Sequence, residues 1–291
     1  MRKIEDYFKD MPILMKEKSY IQKLEILLEK KKRGEKVEIE GYAPPNVKKK
    51  LVEIFFNTCA FCESNISEGH HYDTEHFRPK SIYYWLAFEW SNFLLSCRKC
   101  NSDCKDEQFP ITEKQAKLPT EDFATNIDAF LAKCSIKELE DEGRQLLHPV
   151  LDTPYEHLDF QKNGRVNPKH NSLKGKHSIN VYGLDDWEDK KGKKGKRQDL
   201  IKARKKIIQH IEGEVEHAVF WYKDGERLYE DIKKIHVELI RDINNREPHS
   251  AVRQTCIEKF KAFFIDDLPF LSRDKERLEK VYERLKKDLT S

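Results

Sequence analysis

Apolar positions recur at helical spacing near the N-terminus and through the last third of the chain. Residues 13–33 carry apolar side chains at Tyr20, Leu24 and 26–28, which predicts an amphipathic helix. A short helix is predicted over 46–57. Four more helices are predicted further on, one opening within 190–206 and running to about 222, the others near 226–244, 248–264 and 273–288. In the 248–264 stretch six side chains share one face and predict a helical core: Val252, Cys256, Ile257, Phe260, Phe263 and Phe264.

The pattern between these helical regions is mixed. Residues 58 to about 110 are dense in cysteine, histidine and aromatic side chains, whereas residues 116–186 combine short extended pieces with proline-bounded loops. Asn163-Gly164 in the second of these regions predicts a tight turn between two strands. The elements together predict an α+β protein that is largely helical.

Composition excludes some classes of protein. The 291 residues suffice for one large domain or two small ones, with 38% hydrophobic and 37% charged residues. The net charge is only +3, so a nucleic-acid-binding surface would have to come from local clustering of basic residues. No run approaches the roughly 18 apolar residues of a membrane span, and the charged N-terminus lacks the apolar core of a secretory signal. We therefore expect a soluble cytoplasmic protein that does not bind membranes.

Four of the seven cysteines form two Cys-x-x-Cys pairs, Cys59 with Cys62 and Cys97 with Cys100. Cysteines in a reducing compartment are poor disulfide candidates, and two such pairs can complete a closed tetrahedral site for Zn²⁺. Redox and iron–sulfur sites remain alternatives. A structural zinc is the favoured interpretation, because a site with four thiolates has no open position for catalysis. Cys104 is a possible fifth thiol, although packing as a small hydrophobe is the simpler interpretation.

The insert between the two pairs carries polar residues suited to catalysis. Glu75 and His76 are adjacent, Asn92 follows in a loop, and Asn101 and Lys105 come directly after the last cysteine pair. In a helix beginning near Asn101, positions 101 and 105 share a face. Taken singly, these residues are an ordinary surface dipeptide, a turn residue and a helix cap. Their order between two cysteine pairs favours a functional interpretation.

This order resembles the HNH endonucleases, and within them the PtuB-like nuclease subunit of Septu-type anti-phage systems. The matching segments are "CAFCE", "EHFRPKS", "WSNFLLSC" and "CRKCNSDCK", with a second block in "LLHPVLDTPYEHLDFQKNGRV" and "HSINVYGLDD". The resemblance covers roughly residues 45 to 210. It implies a zinc-stapled ββα-metal (HNH) core embedded in a largely helical protein. The segments expected are an N-terminal helix and linker (1–44), the HNH core (45–115), a mixed α/β extension (116–189), and a basic linker with a C-terminal helical region (190–291).

The resemblance also implies roles for the polar residues. His76 would be the general base, a task that suits a histidine with a pKa near 6.5. Glu75 and Asn101 would hold a catalytic Mg²⁺ or Mn²⁺ through their side-chain oxygens. Asn92 would pin the loop and orient the base. Lys105 stands where many HNH proteins have a third histidine, and this departure favours a lone Mg²⁺ with a nearby cation.

Basic residues at two places are candidates for contact with nucleic-acid phosphates. Arg78 and Lys80 follow the Glu-His pair directly. The run at 190–206 contributes Lys193, Lys194, Lys196 and Arg197, although a solvated linker explains that run equally well. For His148 and His157, in the second matching block, a structural role is favoured over a place in the site.

The expected function is therefore hydrolysis of phosphodiester bonds by a nuclease that acts in phage defence. DNA is the favoured substrate, and RNA stays possible. The resemblance further implies control by an ATPase subunit of the SMC/ABC type (PtuA-like). One alternative is a zinc-stapled nucleic-acid-binding or adaptor protein without catalysis. Another is a toxin-like RNase that uses the same site.

Overall fold

A computed structural model describes residues 1–5, 7, 18–66, 72–120, 123, 125–134, 136–188, 192, 194–269 and 272–290. Helices dominate this part of the chain, and the strands that accompany them are short. The α-helices are Lys18–Lys32 (α1), Pro45–Ile54 (α2), Ile127–Lys133 (α3), Leu173–Val181 (α4), Gln198–Trp221 (α5), Gly225–Asn244 (α6), Ser250–Glu258 (α7) and Ser272–Thr290 (α8). The strands are Tyr72–His76 (β1), Phe93–Cys97 (β2), Leu158–Phe160 (β3), Val166–Pro168 (β4), Trp187–Glu188 (β5) and Lys194–Gly195 (β6). This composition agrees with the predicted α+β class.

The chain forms two compact units. Unit 1 comprises Met1–Leu158 and Pro168–Lys196, and unit 2 comprises Asp159–Asn167 and Arg197–Ser291. The sheets of the described residues have two strands each, β1 with β2, β3 with β4 and β5 with β6. No helix among these residues is long and apolar enough to cross a membrane.

The β1–β2 hairpin is the centre of unit 1. The strands are antiparallel, with Glu75 opposite Leu94 and His76 opposite Phe93. Side chains of a strand alternate between the two faces of a sheet, yet the last three residues of β1 are all buried. Both faces of the hairpin are therefore covered, which explains how a polar strand end comes to lie inside the protein.

A π-helical turn, Lys99–Lys105, follows β2 directly. The sequence predicted a helix beginning near Asn101, and the helical segment begins two residues earlier. The wider turn closes with the amide of Asp106 donating to the carbonyl of Asn101. Asp106 has a φ of 47° and ends the segment. Such π-helical turns are rare in proteins overall, and those that occur often lie at functional sites.

The helices of unit 2 follow the apolar spacing of the sequence. The Asp224 carboxylate caps α6 by accepting from the amides of Glu226 and Arg227. The predicted 248–264 helix is divided, because α7 ends at Glu258 and a second π-helical turn covers Ala262–Asp266. Five of its six predicted core side chains are nevertheless buried: Val252, Cys256, Phe260, Phe263 and Phe264.

The predicted Asn163-Gly164 turn is present between β3 and β4. Gly164 has a φ of +85°, and a Cβ there would lie 2.2 Å from the Ile201 carbonyl oxygen. The tight turn and the close approach to α5 thus both require glycine. Arg204 of α5 then lies over the Phe160 ring of β3, 5.0 Å from its centroid.

Candidate active site

The four paired cysteines converge at one end of the β1–β2 hairpin. Their Sγ atoms all lie within 4.8 Å of one another, with 3.9 Å between Cys62 and Cys97. Zn–S bonds of about 2.3 Å in a tetrahedron place sulfur atoms roughly 3.8 Å apart. The cluster therefore fits a metal ion such as zinc, and the prediction that these four residues come together is confirmed.

Backbone hydrogen bonds fix the first cysteine pair against the second. The Glu63 amide donates to the Cys59 carbonyl, and the Cys59 amide donates to the Ser64 carbonyl, which closes the loop around both thiols. The Ala60 amide donates to the carbonyl of Leu95 at 2.8 Å. This last bond ties the loop to β2, whose end carries Cys97. The cluster thus joins the loop after α2 to the hairpin and to the π-helical turn.

Glu75 is buried and forms an ion pair with Lys105. The Lys105 Nζ lies 2.6 Å from Glu75 Oε1, and both side chains are almost completely buried. The same Nζ donates to the His76 carbonyl at 3.2 Å. Burial raises the pKa of Glu75, and the charge and hydrogen bond of Lys105 act in the opposite direction. Lys105 therefore links the π-helical turn to the strand that carries the Glu-His pair.

His76 is held as a neutral imidazole. Its Nε2 lies 3.0 Å from the Ala87 carbonyl oxygen, which can only accept, so Nε2 carries the proton and Nδ1 the lone pair. Burial lowers the pKa of His76 to about 4, against the opposing effect of the hydrogen bond to Ala87. The Tyr42 ring packs against the imidazole at a centroid distance of 4.5 Å. The orientation of the ring and its tautomer are thus both set by neighbours.

Asn92 is fully buried and ties together the loop between β1 and β2. Its Oδ1 accepts from the Arg78 amide at 2.7 Å, and its Nδ2 donates to the Arg78 carbonyl at 3.0 Å. A longer bond of 3.4 Å runs from Nδ2 to the Leu86 carbonyl, one residue before the carbonyl that holds His76. The amide therefore bridges both sides of the loop that positions the imidazole.

Asn101 lies in a cleft of about 930 Å³ beside the buried pair. Asp73 and Lys80 line this cleft as well, and Tyr42 forms part of its wall. The Lys80 Nζ lies 4.3 Å from the Tyr42 ring centroid and donates to the Ile39 carbonyl at 3.2 Å. Carboxylate and amide oxygens are ligands that Mg²⁺ accepts, so Glu75 and Asn101 have suitable chemistry for that ion. Asn101 lines the cleft, whereas Glu75 and His76 are buried and are not among the residues that line it.

Two of the basic residues that were expected to contact phosphate, Arg78 and Arg197, are buried. The Arg78 guanidinium is completely buried, with Nε 3.2 Å from Glu142 Oε2 and Nη2 2.9 Å from the Leu139 carbonyl. Arg197 is buried too, and its guanidinium pairs with the Asp199 carboxylate. A contact between Arg78 and a nucleic-acid phosphate would require breaking a buried ion pair. Arg78 is therefore found as a structural partner of Glu142. Asp199 is half exposed, so phosphate contact by Arg197 stays a prediction.

The rest of the basic run gives less information. Lys196 is exposed, and Lys194 belongs to β6. Lys193 lies outside the described residues. Of the positions expected to contact phosphate, Lys80 in the cleft and Lys196 at the surface are thus accessible side chains.

The two histidines of the second matching block make structural contacts. His148 is fully buried, its Nδ1 accepts from the Val150 amide at 3.1 Å, and its ring packs on Phe77. His157 Nδ1 lies 2.7 Å from Ser172 Oγ. Cys104 is buried as well.

Sequence reasoning missed two residues of the cleft, Tyr42 and Asp73. Tyr42 lies in a segment without regular structure that reads as a linker, and nothing in its spacing connects it with His76. Asp73 could have been found, because it is two residues before Glu75 and a strand places such residues on one face.

Comparison with known proteins gives relatives that are Septu proteins. No family model matches the sequence. The chain is 33% identical to Septu protein PtuB of Bacillus mycoides (strain KBAB4) over 192 aligned residues. The aligned stretch covers 61% of this chain and 56% of that protein. Over 148 residues it is 30% identical to Septu protein PtuB of Bacillus thuringiensis, 50% of this chain and 44% of that protein.

A further similarity is to Septu protein PtuA of the same Bacillus mycoides strain. The two sequences are 27% identical over 160 aligned residues, which cover 50% of this chain and 20% of PtuA. The chain spans about half the length of the PtuB proteins that it matches. The resemblance to PtuB that the motifs indicated is confirmed.

Proposed function

We propose that this chain is a metal-dependent HNH endonuclease, the nuclease component of a Septu-type defence system. The observation that carries this proposal is the setting of His76. A neutral imidazole with its lone pair on Nδ1 stands at the end of a β-hairpin, next to a buried carboxylate. A helical turn whose Asn101 lines a cleft follows the hairpin. This is the order of a ββα-metal core, and the paired thiols would hold its two halves together.

Each residue of the candidate site has a separate role in the proposed hydrolysis of a phosphodiester bond. His76 Nδ1 accepts a proton from the attacking water, and because burial lowers the pKa of His76 this nitrogen is free of a proton at neutral pH. Lys80, which lines the cleft close in sequence to His76, would contact an incoming phosphate. Asn92 donates to the Leu86 carbonyl and so supports the loop whose Ala87 carbonyl holds the imidazole. Glu75 and Asn101 would hold a divalent ion, which supplies stabilisation of charge on the phosphate and the leaving oxygen.

The similarity to PtuA and PtuB proteins supports a partnership of the same kind. We propose an ATPase subunit related to PtuA as the partner that controls cleavage, and nucleic acid, with DNA favoured, as the substrate. Tagged PtuA-like protein from the same genome should retain this chain in a pull-down from purified components. Absence of binding with and without ATP would count against the partnership.

The test of the activity is cleavage of supercoiled plasmid and of total RNA with Mg²⁺ or Mn²⁺. We compare the wild type with His76→Ala and, as a matched control, with His210→Ala, a histidine exposed on α5 of unit 2. Both variants must keep their zinc, measured by metal analysis. Cleavage by the wild type and His210→Ala but not by His76→Ala supports the proposal and identifies the polymer.

Two other results would contradict the proposed activity. Equal cleavage by all three proteins would mean that His76 is not the base. Tight, salt-dependent binding of nucleic acid without cleavage, also in the presence of the ATPase partner, would favour the binding or adaptor protein.

A further inference from the structure

The charge of the Glu75 carboxylate is already neutralised by this chain itself. Lys105 Nζ lies 2.6 Å from Glu75 Oε1 and is completely buried. Its other contacts are the carbonyl oxygens of His76, at 3.2 Å, and Asp106, at 3.4 Å. An ammonium group has three hydrogens, and here it has three acceptors. All three hydrogens of the Lys105 ammonium group thus have acceptors inside the protein, so the side chain is held in the site and has no free donor for a contact in the cleft.

The donor set that remains for a divalent ion is correspondingly weak. Glu75 Oε1 is occupied by Lys105, and Oε2 makes no hydrogen bond to the described residues. Asn101 contributes only a neutral oxygen. The lining of the cleft balances as well, because its four acidic residues are matched by four lysines: Glu38, Glu40, Asp73 and Glu107, with Lys31, Lys36, Lys48 and Lys80. The buried pair and the lining of the cleft are thus each neutral in formal charge, with the Asp73 and Asp106 carboxylates as the negative charges that act on Glu75.

A phosphodiester supplies the missing charge. Each diester brings one negative charge and two non-bridging oxygens, and Mg²⁺ commonly binds through one or two carboxylates together with substrate phosphate. Resting on the proposed function, we propose that the site takes up its divalent ion only together with a phosphodiester. Lys105 sets this order as a positioning residue. It holds Glu75 in place, and its charge prevents the empty site from binding metal.

The distinguishing prediction is that removal of Lys105 strengthens metal binding. In Lys105→Met the side chain keeps its length and loses its charge, so Glu75 is left buried and unpaired until a cation binds. We measure thermal unfolding of the zinc-loaded protein with increasing Mn²⁺ and no nucleic acid. The wild type should respond little. Lys105→Met should start at a lower Tm and gain stability with Mn²⁺, with an apparent affinity about tenfold or more above that of the wild type.

Two variants control this comparison. Glu75→Gln/Lys105→Met removes both charges of the pair and should show no Mn²⁺ response, since the carboxylate is gone. Lys259→Met removes a lysine that pairs with Asp159 in unit 2 and should respond as the wild type does. A merely structural role for Lys105 would lower the Tm in Lys105→Met with no recovery in Mn²⁺, and that result would overturn the proposal.

A second measurement needs no variant, which covers the case in which Lys105→Met does not fold. Free Mn²⁺ is followed by electron paramagnetic resonance during titration of the wild type, alone and with a short phosphorothioate duplex that resists cleavage. Binding to the duplex alone is subtracted. Uptake by the mixture beyond the sum of the separate components supports the proposal. Tight uptake by the protein alone, lost in Glu75→Gln, would overturn it.

These outcomes are separable from failure of the proposed function. If the wild type binds Mn²⁺ tightly through Glu75 and still cleaves, the order of binding is wrong and the nuclease stands. If cleavage proceeds unchanged in chelator, the metal-dependent function itself is wrong.

Discussion

The two units of the molecule have cores of different chemistry. Unit 2 packs amphipathic helices around apolar and aromatic side chains, with Phe260 stacked on Tyr282 at a centroid distance of 5.5 Å. Unit 2 also buries Arg197, Arg204, His236 and His249, but unit 1 buries more charged and titratable groups. Most of those in unit 1 surround the β1–β2 hairpin: Glu75, His76, Arg78, Lys105, Glu142, Arg144 and His148. Burial of charge opposes folding unless each group is paired, whereas apolar burial favours it.

This difference fits the presence of the thiol cluster in unit 1. A region that keeps several ion pairs away from water gains less stability from its core. It therefore depends on added constraints, such as a structural metal. Unit 2 has an apolar core that can maintain its helices without one. The buried charges that lower the stability of unit 1 and the thiol cluster that would raise it are thus found in the same region.

The largest effect is expected from loss of the metal. Substitution Cys97→Ser removes one of four thiolates, and unit 1 should lose its ordered core because zinc binding and folding are coupled. Trp85 and Trp90 are buried in unit 1 and report on it by fluorescence. We expect a red-shifted emission while far-UV circular dichroism keeps the helical signal of unit 2. Cys256→Ser in unit 2 is the matched control and should retain zinc. A native emission spectrum in metal-free Cys97→Ser would contradict the comparison.

A smaller loss should follow from breaking one buried ion pair of unit 1. Glu142 accepts from Arg78 Nε at 3.2 Å, from the Tyr83 hydroxyl at 3.2 Å and from the Ala116 amide at 2.7 Å. Glu142→Gln keeps the shape and removes the buried partner charge of Arg78, which then has only the partly exposed Glu140 carboxylate at 3.7 Å. We expect a loss toward the lower end of the about 3–5 kcal/mol that breaking a buried pair costs. Urea unfolding followed by tryptophan fluorescence measures the change. A loss below about 1 kcal/mol, the value typical of exposed pairs, would mean that water reaches this pair.

Part of this organisation could be predicted from sequence and part could not. Each Cys-x-x-Cys pair and the helices of unit 2 follow from local spacing, because each depends on residues a few positions apart. The convergence of the two pairs follows from the four thiolates that a closed zinc site needs. The pair between Arg78 and Glu142 joins residues 64 positions apart, and Glu75 is 30 positions from Lys105 (105 − 75). Nothing in a single sequence states which of 52 acidic residues meets which of 55 basic ones. For that reason Arg78 was expected at a phosphate and is found in the core.

Unit 2 contains a buried histidine that allows a test by pH. His236 donates from Nδ1 to the Ile232 carbonyl at 3.1 Å, and its ring lies 4.2 Å from that of Phe260. Burial lowers its pKa below the ordinary 6.5, against the opposing effect of the hydrogen bond to Ile232. The unfolded chain thus binds a proton more readily, so the stability of unit 2 is complete above pH 6.5 and falls as the pH drops toward the lowered pKa.

His236→Phe preserves the ring packing and removes the titrating group. Thermal unfolding monitored by circular dichroism between pH 7.5 and 5.5 should show a decline in the wild type and a smaller one in the variant. The same decline in both proteins would assign the pH dependence to other groups. His210→Ala, at an exposed position of α5, serves as the control and should follow the wild type.

The smallest effect is expected at an ion pair of unit 2 that has better geometry than the buried pair of unit 1. Arg284 contacts both oxygens of Glu226, at 2.6 and 3.0 Å, and its guanidinium lies over the Tyr229 ring. Both charged side chains are exposed, so water solvates them equally well when the pair is broken. Arg284→Gln should therefore leave the Tm of unit 2 within experimental error, and added salt should change it no more than in the wild type. A clear loss of stability would show that pairing at the surface supports unit 2, and burial alone would then not separate the two units.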